Sequence, residues 1–223
     1  KLAGSLSAQG ILRAKQAIKT TDKFTKEVTA RFKVGSQSVT LCGIAKGAGM
    51  ISPRLATMLV FIFTDANITQ KALERSLGVA VENSFNCITV DGCMSTNDTA
   101  RVLANRQAGN AVIHSGKSLA AFQKALQEVC LKLAKMIVQD GEGSTKLITI
   151  KVLGAKSDKD AKKVALSVAN SNLFKTAIFA SSQNIVGRIV ASVGAAGAGI
   201  KEEDILLRYS PLHKKEVDIR IAV

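Results

Sequence analysis

The 223-residue sequence predicts a mixed α/β protein of the α+β type, organised as two consecutive domains. Residues 28–34 alternate apolar and polar side chains, a pattern typical of a half-buried strand. Residues 118–139 repeat apolar side chains every three or four positions, a pattern typical of an amphipathic helix. The composition changes near residue 145, where a new series of short elements begins. We therefore expect a core domain over residues 1–145 and a smaller α+β domain over residues 146–223.

The core domain begins with a predicted helix and a predicted hairpin. Residues 2–19 favour a helix with a loosely defined apolar face. The strand over residues 28–34 is followed by a turn at Gly35, and a returning strand is expected from Val39 and Leu41 onward. This hairpin would deliver Lys46 and the glycines after it to one edge of a sheet.

Residues 58–105 predict two further strands, each followed by a helix. The apolar block Met58–Phe63 indicates a strand, and Asn67 can cap the helix after it. That helix is expected to bury side chains four residues apart, namely Leu73, Leu77 and Val81. A short strand is expected at Phe85–Val90 and a helix at Ala100–Asn105.

The polar cluster Ser95–Thr99 allows two interpretations. Its small polar side chains can form a turn that caps the helix expected at Ala100. They can also brace an active site nearby. The residue chemistry alone favours the capping turn.

The longest predicted helix covers Ser118–Gln139. Its expected apolar stripe consists of Phe122, Leu126, Val129, Leu133 and Met136. The helix should end at Asp140–Gly143, where two glycines permit backbone angles that other residues avoid. A carboxylate on such a turn, Glu142, is well placed for a binding site, although a solvated loop glutamate is the simpler interpretation from the residues alone.

The smaller domain is predicted to contain four strands and two helices. The strands are expected at Leu147–Val152, Phe174–Ala180, Ile205–Tyr209 and Val217–Val223. One helix should begin after Ser157, which can cap it together with Asp160. The apolar residues Ile185, Ile189 and Val193 mark the other helix.

The composition argues against three classes of protein. The net charge is +14, but the basic residues are spread singly with few aromatic residues between them, which argues against a nucleic-acid surface. The cysteines, Cys42, Cys87, Cys93 and Cys130, form no CxxC pair, so we expect neither a metal site nor a disulfide framework. No apolar run approaches the roughly 20 residues of a membrane helix. A soluble intracellular protein is therefore expected.

The stretch Gly43–Ala66 carries the strongest candidate chemistry. A glycine-rich loop containing Lys46 leads to the pair Ala56–Thr57, which immediately precedes an apolar strand. Such a pair suits a chain that cleaves itself, because the threonine hydroxyl can attack the preceding carbonyl. Cleavage would leave Thr57 as a new N-terminus whose amine, with an ordinary pKa of about 7.7–8.0, can act as a general base. Most Ala–Thr pairs are inert, so the pair alone does not establish this chemistry.

Four ordered motifs make this interpretation more specific. Residues 46–59 (KGAGMISPRLATML) resemble the self-cleavage signature of the ornithine acetyltransferase (glutamate N-acetyltransferase, ArgJ) family. Three further blocks match the same family in the same order: Ala17–Asp22 with Lys26–Glu27, Val90–Thr99, and Val138–Lys146. The likeness extends from about residue 12 to about residue 195.

The resemblance implies a fold and a reaction. The expected fold is a self-processing αββα sandwich, with two sheets between helices, followed by a smaller α+β domain that lacks its C-terminal part. The expected reaction moves an acetyl group from N-acetylornithine to glutamate in arginine biosynthesis, through an acetyl-threonine on Thr57. Cleavage is expected between Ala56 and Thr57. No metal or organic cofactor is expected, and acetyl-CoA stays open as a further donor substrate.

The resemblance also assigns site residues and partners. Thr20, Lys46, Thr57 and Glu142 match the family's substrate-contacting positions. Charge complementarity assigns Lys46 to a substrate carboxylate and Glu142 to its ammonium group, although Lys46 can also be an ordinary surface lysine. The expected partners are the chain's own cleaved fragments and further copies in a homo-oligomer, without nucleic acid or membrane. The expected location is the cytoplasm, or the mitochondrial matrix in a eukaryote.

The sequence departs from the family pattern in ways that keep other functions open. Arg54-Leu55 replaces a usual Asn-Met, and Cys93-Met94 replaces an Asp-Thr. The family's oxyanion residues and its C-terminal tail have no counterpart in the sequence. One alternative is therefore a truncated or non-catalytic relative that keeps the scaffold uncut. Another is an amidase or aminopeptidase of the same architecture, which would hydrolyse its acyl-enzyme.

Overall fold

The structure, a computed structural model, describes residues 4, 7, 9–52, 58–93, 97–182 and 184–223. The chain forms two compact units, Lys1–Glu142 and Gly143–Val223. Each unit has its own sheet and its own buried apolar core. Because both units combine helices with strands, the predicted α+β class is confirmed.

A four-stranded sheet forms the centre of the first unit. Its strands follow the chain order across the sheet: β1 (Lys26–Val34), β2 (Gln37–Lys46), β3 (Leu59–Thr64) and β4 (Thr99–Ala104). β2 is antiparallel to both of its neighbours, β1 and β3, whereas β4 runs parallel to β3. The predicted hairpin of β1 and β2 is confirmed, and Gly35 takes the left-handed conformation its turn needs, with φ 62°. Lys46 pairs with Leu59, so the end of β2 lies beside the beginning of β3.

In the described part of the first unit, three α-helices accompany this sheet: α1 (Gly10–Ala17), α2 (Gln70–Glu82) and α3 (Gly116–Gln139). The ring of Phe122 on α3 meets Phe32 on β1 edge to face, with 6.0 Å between centroids. The absence of a side chain at Gly43 lets α3 approach β2 closely. A Cβ atom there would lie 2.8 Å from Leu133 Cδ1 and 2.9 Å from Val129 Cγ1. Among the described helices, none combines the length and the apolar character needed to cross a bilayer.

The opposite face of this sheet carries partly exposed apolar side chains. Phe63 on β3 pairs with Leu103 on β4, which places both on the same face. They are 39% and 50% exposed. Since α3 covers the other face through Gly43 and Phe32, this is the face that the second sheet of an αββα sandwich would cover.

The described residues of the second unit form a three-stranded sheet and three α-helices. Its strands β5 (Leu147–Leu153), β6 (Leu206–Tyr209) and β7 (Glu216–Ala222) are arranged in the order β5-β7-β6. The central strand β7 is parallel to β5 and antiparallel to β6. The helices are α4 (Asp158–Asn170), α5 (Asn172–Phe179) and α6 (Ile185–Ala195). Ser157 caps α4 as predicted, since its hydroxyl accepts a hydrogen bond from the Asp160 amide.

Three predicted elements are wrong. The strand expected at Phe85–Val90 is a 3-10 helix at Phe85–Cys87, which buries Phe85 in the core. The helix expected at Ala100–Asn105 is β4, because parallel pairing with β3 overrides the local capping signal. The strand expected at Phe174–Ala180 is α5, whose buried residues are spaced by three and four: Phe174, Ala177 and Ile178. A short apolar run of this kind does not by itself separate a strand from a buried helix.

The remaining helices agree in type with the sequence prediction but differ in detail. In α2 the N-cap is Thr69, and Asn67 instead pairs with Asn110. The buried stripe of α2 lies one position before the predicted one, at Ala72, Ser76 and Ala80. The helix predicted over residues 2–19 is present as α1 from Gly10, and several residues before it lie outside the described ranges. Most of the predicted stripe of α3 is buried, namely Phe122, Leu126, Val129 and Leu133.

Substitution of Gly43 by alanine should destabilise the first unit. The new Cβ atom would overlap Leu133 and Val129, and overpacking of this kind typically costs about 1–3 kcal/mol. The matched control is Gly78→Ala in α2, where a Cβ atom would meet nothing within 4 Å and should stabilise the helix by about 0.5–1 kcal/mol. Urea-unfolding midpoints measure both effects. Equal stability of the two variants would contradict the close packing of α3 on β2.

Candidate active site

Lys46 ends β2 with a buried side chain, only 6% of the residue being exposed. Its ammonium group donates a hydrogen bond of 3.1 Å to Oγ1 of Thr20. Within the described ranges, no carboxylate forms an ion pair with Lys46. A buried ammonium group held by a neutral hydroxyl is well suited to receive an anionic ligand. The interpretation of Lys46 as an ordinary surface lysine is therefore wrong, because burial removes it from the surface.

Glu142 lies beside the glycine loop that follows Lys46. It comes three residues after the end of α3, and its amide donates a 2.9 Å hydrogen bond to the carbonyl of Ala48. A Cβ atom at Gly49 would lie 2.9 Å from the Glu142 carboxyl carbon. Because Gly49 has no side chain, the carboxylate can rest against the loop backbone. The structure thus brings Glu142 to the loop that begins at Lys46.

A buried triad of charges, Asp22, Lys26 and Asp140, lies beneath these residues. The Lys26 ammonium is 2.6 Å from Oδ1 of Asp22 and 2.5 Å from Oδ2 of Asp140, and all three side chains are fully buried. The ring of Phe24 lies 4.9 Å from the same ammonium group. Two carboxylates and an aromatic ring together compensate a charge that could not otherwise be buried.

The triad also binds the backbone next to each candidate residue. Asp22 accepts hydrogen bonds from the amides of Gly47, at 2.7 Å, and Thr20, at 3.2 Å. Asp140 accepts from the Lys23 amide with both oxygens, each at 3.1 Å. The network therefore reaches each candidate residue. Thr20 donates to it directly, Lys46 precedes Gly47, which also donates to it, and Glu142 lies two residues after Asp140.

Burial and hydrogen bonding act in opposite directions on Asp22. Burial alone would raise its pKa, but the Gly47 amide, the Lys26 ammonium and the Thr20 amide together hold the pKa below its ordinary value. Asp22 is thus an ionised acceptor at neutral pH. It keeps the start of the glycine loop fixed beside Thr20.

The predicted cleavage pair, Ala56 and Thr57, lies outside the described residues. The last described residue before it is Ser52 and the first after it is Met58, which precedes β3. The loop from Lys46 and the strand β3 therefore lead toward the pair from its two sides. Of the predicted substrate-contacting residues, Thr20 and Lys46 are in contact, Glu142 borders the same loop, and Thr57 stays a prediction.

The charged triad was missed as a functional element by sequence reasoning, although a signal for it exists. Lys26 is in phase with the apolar face of β1, which continues at Val28 and Ala30. Asp140 follows Leu133 and Ile137 at helical spacing, in phase with the buried stripe of α3. A charged residue in phase with an apolar face indicates a buried, paired group.

The cysteines supply no metal site in the described part of the chain. All four are free thiols, and no three His, Cys, Asp or Glu residues among those described lie close enough together to hold a metal ion. Burial raises the pKa of Cys130 to about 12, although a hydrogen bond with Ser84 partly opposes the rise. Cys130 therefore stays a neutral core side chain at physiological pH.

A family model describing the ArgJ family matches residues 1–219. The chain belongs to the ArgJ family. The resemblance read from the four sequence motifs is therefore confirmed.

Several relatives of this ArgJ-family chain are known. It is 47% identical over 207 residues to the arginine biosynthesis bifunctional protein ArgJ of Caldanaerobacter subterraneus subsp. tengcongensis, covering 92% of this chain and 51% of the relative. It is 52% identical over 188 residues to the protein of that name from Geobacter sulfurreducens, covering 84% and 48%. It is 51% identical over 184 residues to a mitochondrial ArgJ of Candida albicans, covering 81% and 42%.

A solved structure has a similar fold. The crystal structure of the arginine biosynthesis bifunctional protein ArgJ of Bacillus halodurans superposes with a TM-score of 0.69 at 36% identity, covering 73% of this chain and 86% of the solved one. The α+β architecture is therefore that of the family. The ArgJ-family chain spans about half the length of the curated relatives it matches.

Acid should destabilise the first unit through Asp22. A carboxyl group whose folded pKa is depressed contributes stability above its unfolded pKa, about 3.9, and loses that contribution as the pH falls through the folded value. We expect the free energy of unfolding to decrease below about pH 4, and Asp22→Asn to show a shallower decrease. Urea unfolding at a series of pH values measures both slopes. Parallel curves for the two proteins would show that Asp22 does not contribute.

Proposed function

We propose that this ArgJ-family chain carries the nucleophile and part of the substrate pocket of an acetyltransferase. The acetyl group moves from N-acetylornithine to glutamate, with Thr57 as its transient carrier. Thr57 becomes available when the chain cleaves itself between Ala56 and Thr57. Family membership supports the reaction class, because the matched relatives are named arginine biosynthesis bifunctional proteins.

The observation that carries this proposal is the opposite charge on two sides of one loop. Buried Lys46, held by Thr20, ends the strand before the loop, and the carboxylate of Glu142 rests against Gly49 within the loop. N-acetylornithine presents an α-carboxylate and a side-chain ammonium group, because its α-nitrogen carries the acetyl group. Lys46 as the partner of the carboxylate and Glu142 as the partner of the ammonium group would orient such a substrate.

The acyl chemistry is proposed to need only the threonine and its own amine. In the first half-reaction, the Thr57 hydroxyl attacks the acetyl carbonyl of N-acetylornithine while the α-amine accepts the hydroxyl proton. The C–N bond of the amide then breaks, and the amine returns the proton to the departing ornithine nitrogen. In the second half-reaction, the neutral amine of glutamate attacks the acetyl-threonine ester and the ester C–O bond breaks. The α-amine of Thr57 carries the proton from the glutamate nitrogen to the departing Thr57 oxygen, and N-acetylglutamate leaves. No metal or organic cofactor takes part, and acetyl-CoA stays a candidate donor.

The partners and the location are proposed from the same family relationship. After cleavage, the two fragments are expected to stay associated and to assemble further as a homo-oligomer, without nucleic acid or membrane. The proposed location is the cytoplasm, or the mitochondrial matrix if the source is a eukaryote. The Candida albicans relative, which is named as mitochondrial, supports the second option.

Two other functions would use the same architecture. An amidase or aminopeptidase would pass the acetyl group from Thr57 to water, so that it would release acetate instead of N-acetylglutamate. A non-catalytic relative would keep the bond between Ala56 and Thr57 intact. Product analysis separates the first alternative from acetyl transfer, and the mass of the purified protein separates the second.

The protein as its host produces it should consist of two pieces that meet between Ala56 and Thr57. Thr57→Ala should remain uncut and should form no N-acetylglutamate, because the attacking hydroxyl is lost. Thr57→Ser keeps a hydroxyl and should still be cut. Intact-mass measurement and chromatography of the products check both points. A cut and active Thr57→Ala variant would refute the assignment.

Gly49→Ala should weaken substrate binding without unfolding the protein. The new Cβ atom would overlap the Glu142 carboxylate, the flexible end of a side chain, so the carboxylate should move away from its position. We expect KM for N-acetylornithine to rise by about tenfold, equivalent to about 1.4 kcal/mol, with an unchanged urea midpoint. Glu142→Gln should raise KM similarly, whereas Gly78→Ala should leave it unaltered. An unchanged KM in Gly49→Ala would remove Glu142 from the pocket.

A further inference from the structure

Met50 and Ile51, which immediately precede the predicted cleavage segment Ser52–Thr57, are held by two residues that lie just before the polar cluster Ser95–Thr99. Oδ2 of Asp91 accepts a 2.6 Å hydrogen bond from the Met50 amide, and Oδ1 accepts one of 3.1 Å from the Ile51 amide. The Val90 amide donates a 2.8 Å hydrogen bond to the Ile51 carbonyl. Both backbone groups of Ile51 and the amide of Met50 are therefore bound by the pair Val90–Asp91.

Met50 shows that this end of the loop is under conformational constraint. Its φ is 52°, in the left-handed region that a residue other than glycine rarely occupies. Its side chain is 50% exposed, so burial of the side chain does not account for this conformation. Unfavourable backbone angles persist where surrounding contacts impose them, and the Asp91 carboxylate supplies such a contact at the Met50 amide.

Asp98 and Thr99, at the far side of the same polar cluster, hold Met58, the residue that follows the predicted cleavage segment. Oδ1 of Asp98 accepts a 2.7 Å hydrogen bond from the amide of Met58, and the Thr99 amide donates one of 3.0 Å to the Met58 carbonyl. Met58 is buried, and its amide nitrogen is the atom bonded to the carbonyl carbon of Thr57. Parallel pairing of β3 with β4 begins one residue later, where Leu59 pairs with Thr99.

We propose that Asp91 and Asp98 are positioning residues that hold the two ends of the self-cleaving segment, Ser52–Thr57, so that Thr57 can attack Ala56. The inference rests on the proposed function, because it assigns these two carboxylates to the cleavage step. Asp91 acts through Met50 and Ile51, and Asp98 acts through Met58. Neither residue is assigned a role in bond making or breaking.

The two carboxylates suit this role because an ionised acceptor binds an amide more strongly than a neutral one. Two anchors on one short stretch of chain also restrict the distance between the ends of the segment, which lowers the entropy lost when the reacting groups meet. Burial raises the pKa of Asp98, while the Met58 amide and the charge of Lys46 oppose the rise. Lys46 of the substrate pocket and Asp98 of this anchor therefore act on each other electrostatically.

The chain offers a matched contact that should not affect cleavage. Oδ1 of Asp65 accepts a 2.7 Å hydrogen bond from the Thr40 amide, the same kind of bond and length as that of Asp98 with Met58. Asp65 follows the far end of β3, whereas Asp98 acts before its beginning. Loss of the Asp65 contact should therefore reduce stability without a specific effect at Thr57.

The test follows self-cleavage in freshly synthesised protein by intact mass, with Asp98→Ala, Asp98→Asn, Asp91→Ala and Asp65→Ala beside the wild type. Loss of a hydrogen bond to a charged acceptor should slow cleavage by about tenfold or more in Asp98→Ala and Asp91→Ala. Asp98→Asn keeps an acceptor oxygen but not the charge, and should recover part of the rate. Asp65→Ala should cleave at the wild-type rate.

Three results would overturn the proposal: a wild-type rate in Asp98→Ala, equal slowing in Asp65→Ala, or no recovery in Asp98→Asn. Hydrogen exchange of the Met58 amide gives a second measurement on folded protein, and we expect faster exchange in Asp98→Ala. If the wild type itself is never cut, the proposed function fails and this exchange alone decides whether Asp98 holds Met58. Unchanged exchange would then show that it does not.

Discussion

The ammonium group of Lys26, enclosed by Asp22 and Asp140, is the interaction on which the candidate site depends. It joins the chain before β1, the first residue of β1 and the C-terminal end of α3, which are far apart in sequence. Removal of one partner from such a buried set typically costs about 3–5 kcal/mol, because a charge is left without compensation. Asp22 holds the backbone of Thr20 and Gly47 through hydrogen bonds, and Glu142 lies two residues after Asp140, so this set of charges positions all three. The geometry of the pocket is therefore coupled to the stability of the core.

Glycine permits the close contacts through which this core reaches the site. Gly43 allows α3 to lie against β2, which places the end of α3, and hence Asp140, near the beginning of the loop. Gly49 leaves room for the Glu142 carboxylate on the loop backbone. In both places the feature that matters is a missing side chain. A side chain at Gly43 should therefore lower the stability of the fold, because Gly43 faces the core. A side chain at Gly49 should instead weaken substrate binding, because Gly49 faces the flexible carboxylate of Glu142.

Where the structure describes the loop, backbone amides donate hydrogen bonds to the carboxylates around it. Asp22 binds the Gly47 amide, Asp91 binds the Met50 and Ile51 amides, and Asp98 binds the Met58 amide. Bonds to the backbone restrain the path of the chain whatever its side chains are.

Residue pattern alone determined the α+β class, the first hairpin, the long helix α3 and the family, because strong periodicity and ordered motifs are properties of local sequence. It also singled out Thr20, Lys46 and Glu142 through their motifs. It could not distinguish the strand β4 from a helix, or α5 from a strand, because those outcomes depend on which neighbour each short segment packs against. The burial of Lys46, its contact with Thr20, and the place of Asp22, Lys26 and Asp140 were decided only by tertiary structure. Charged groups separated by more than a hundred residues can compensate one another only after the chain has folded and excluded water from between them.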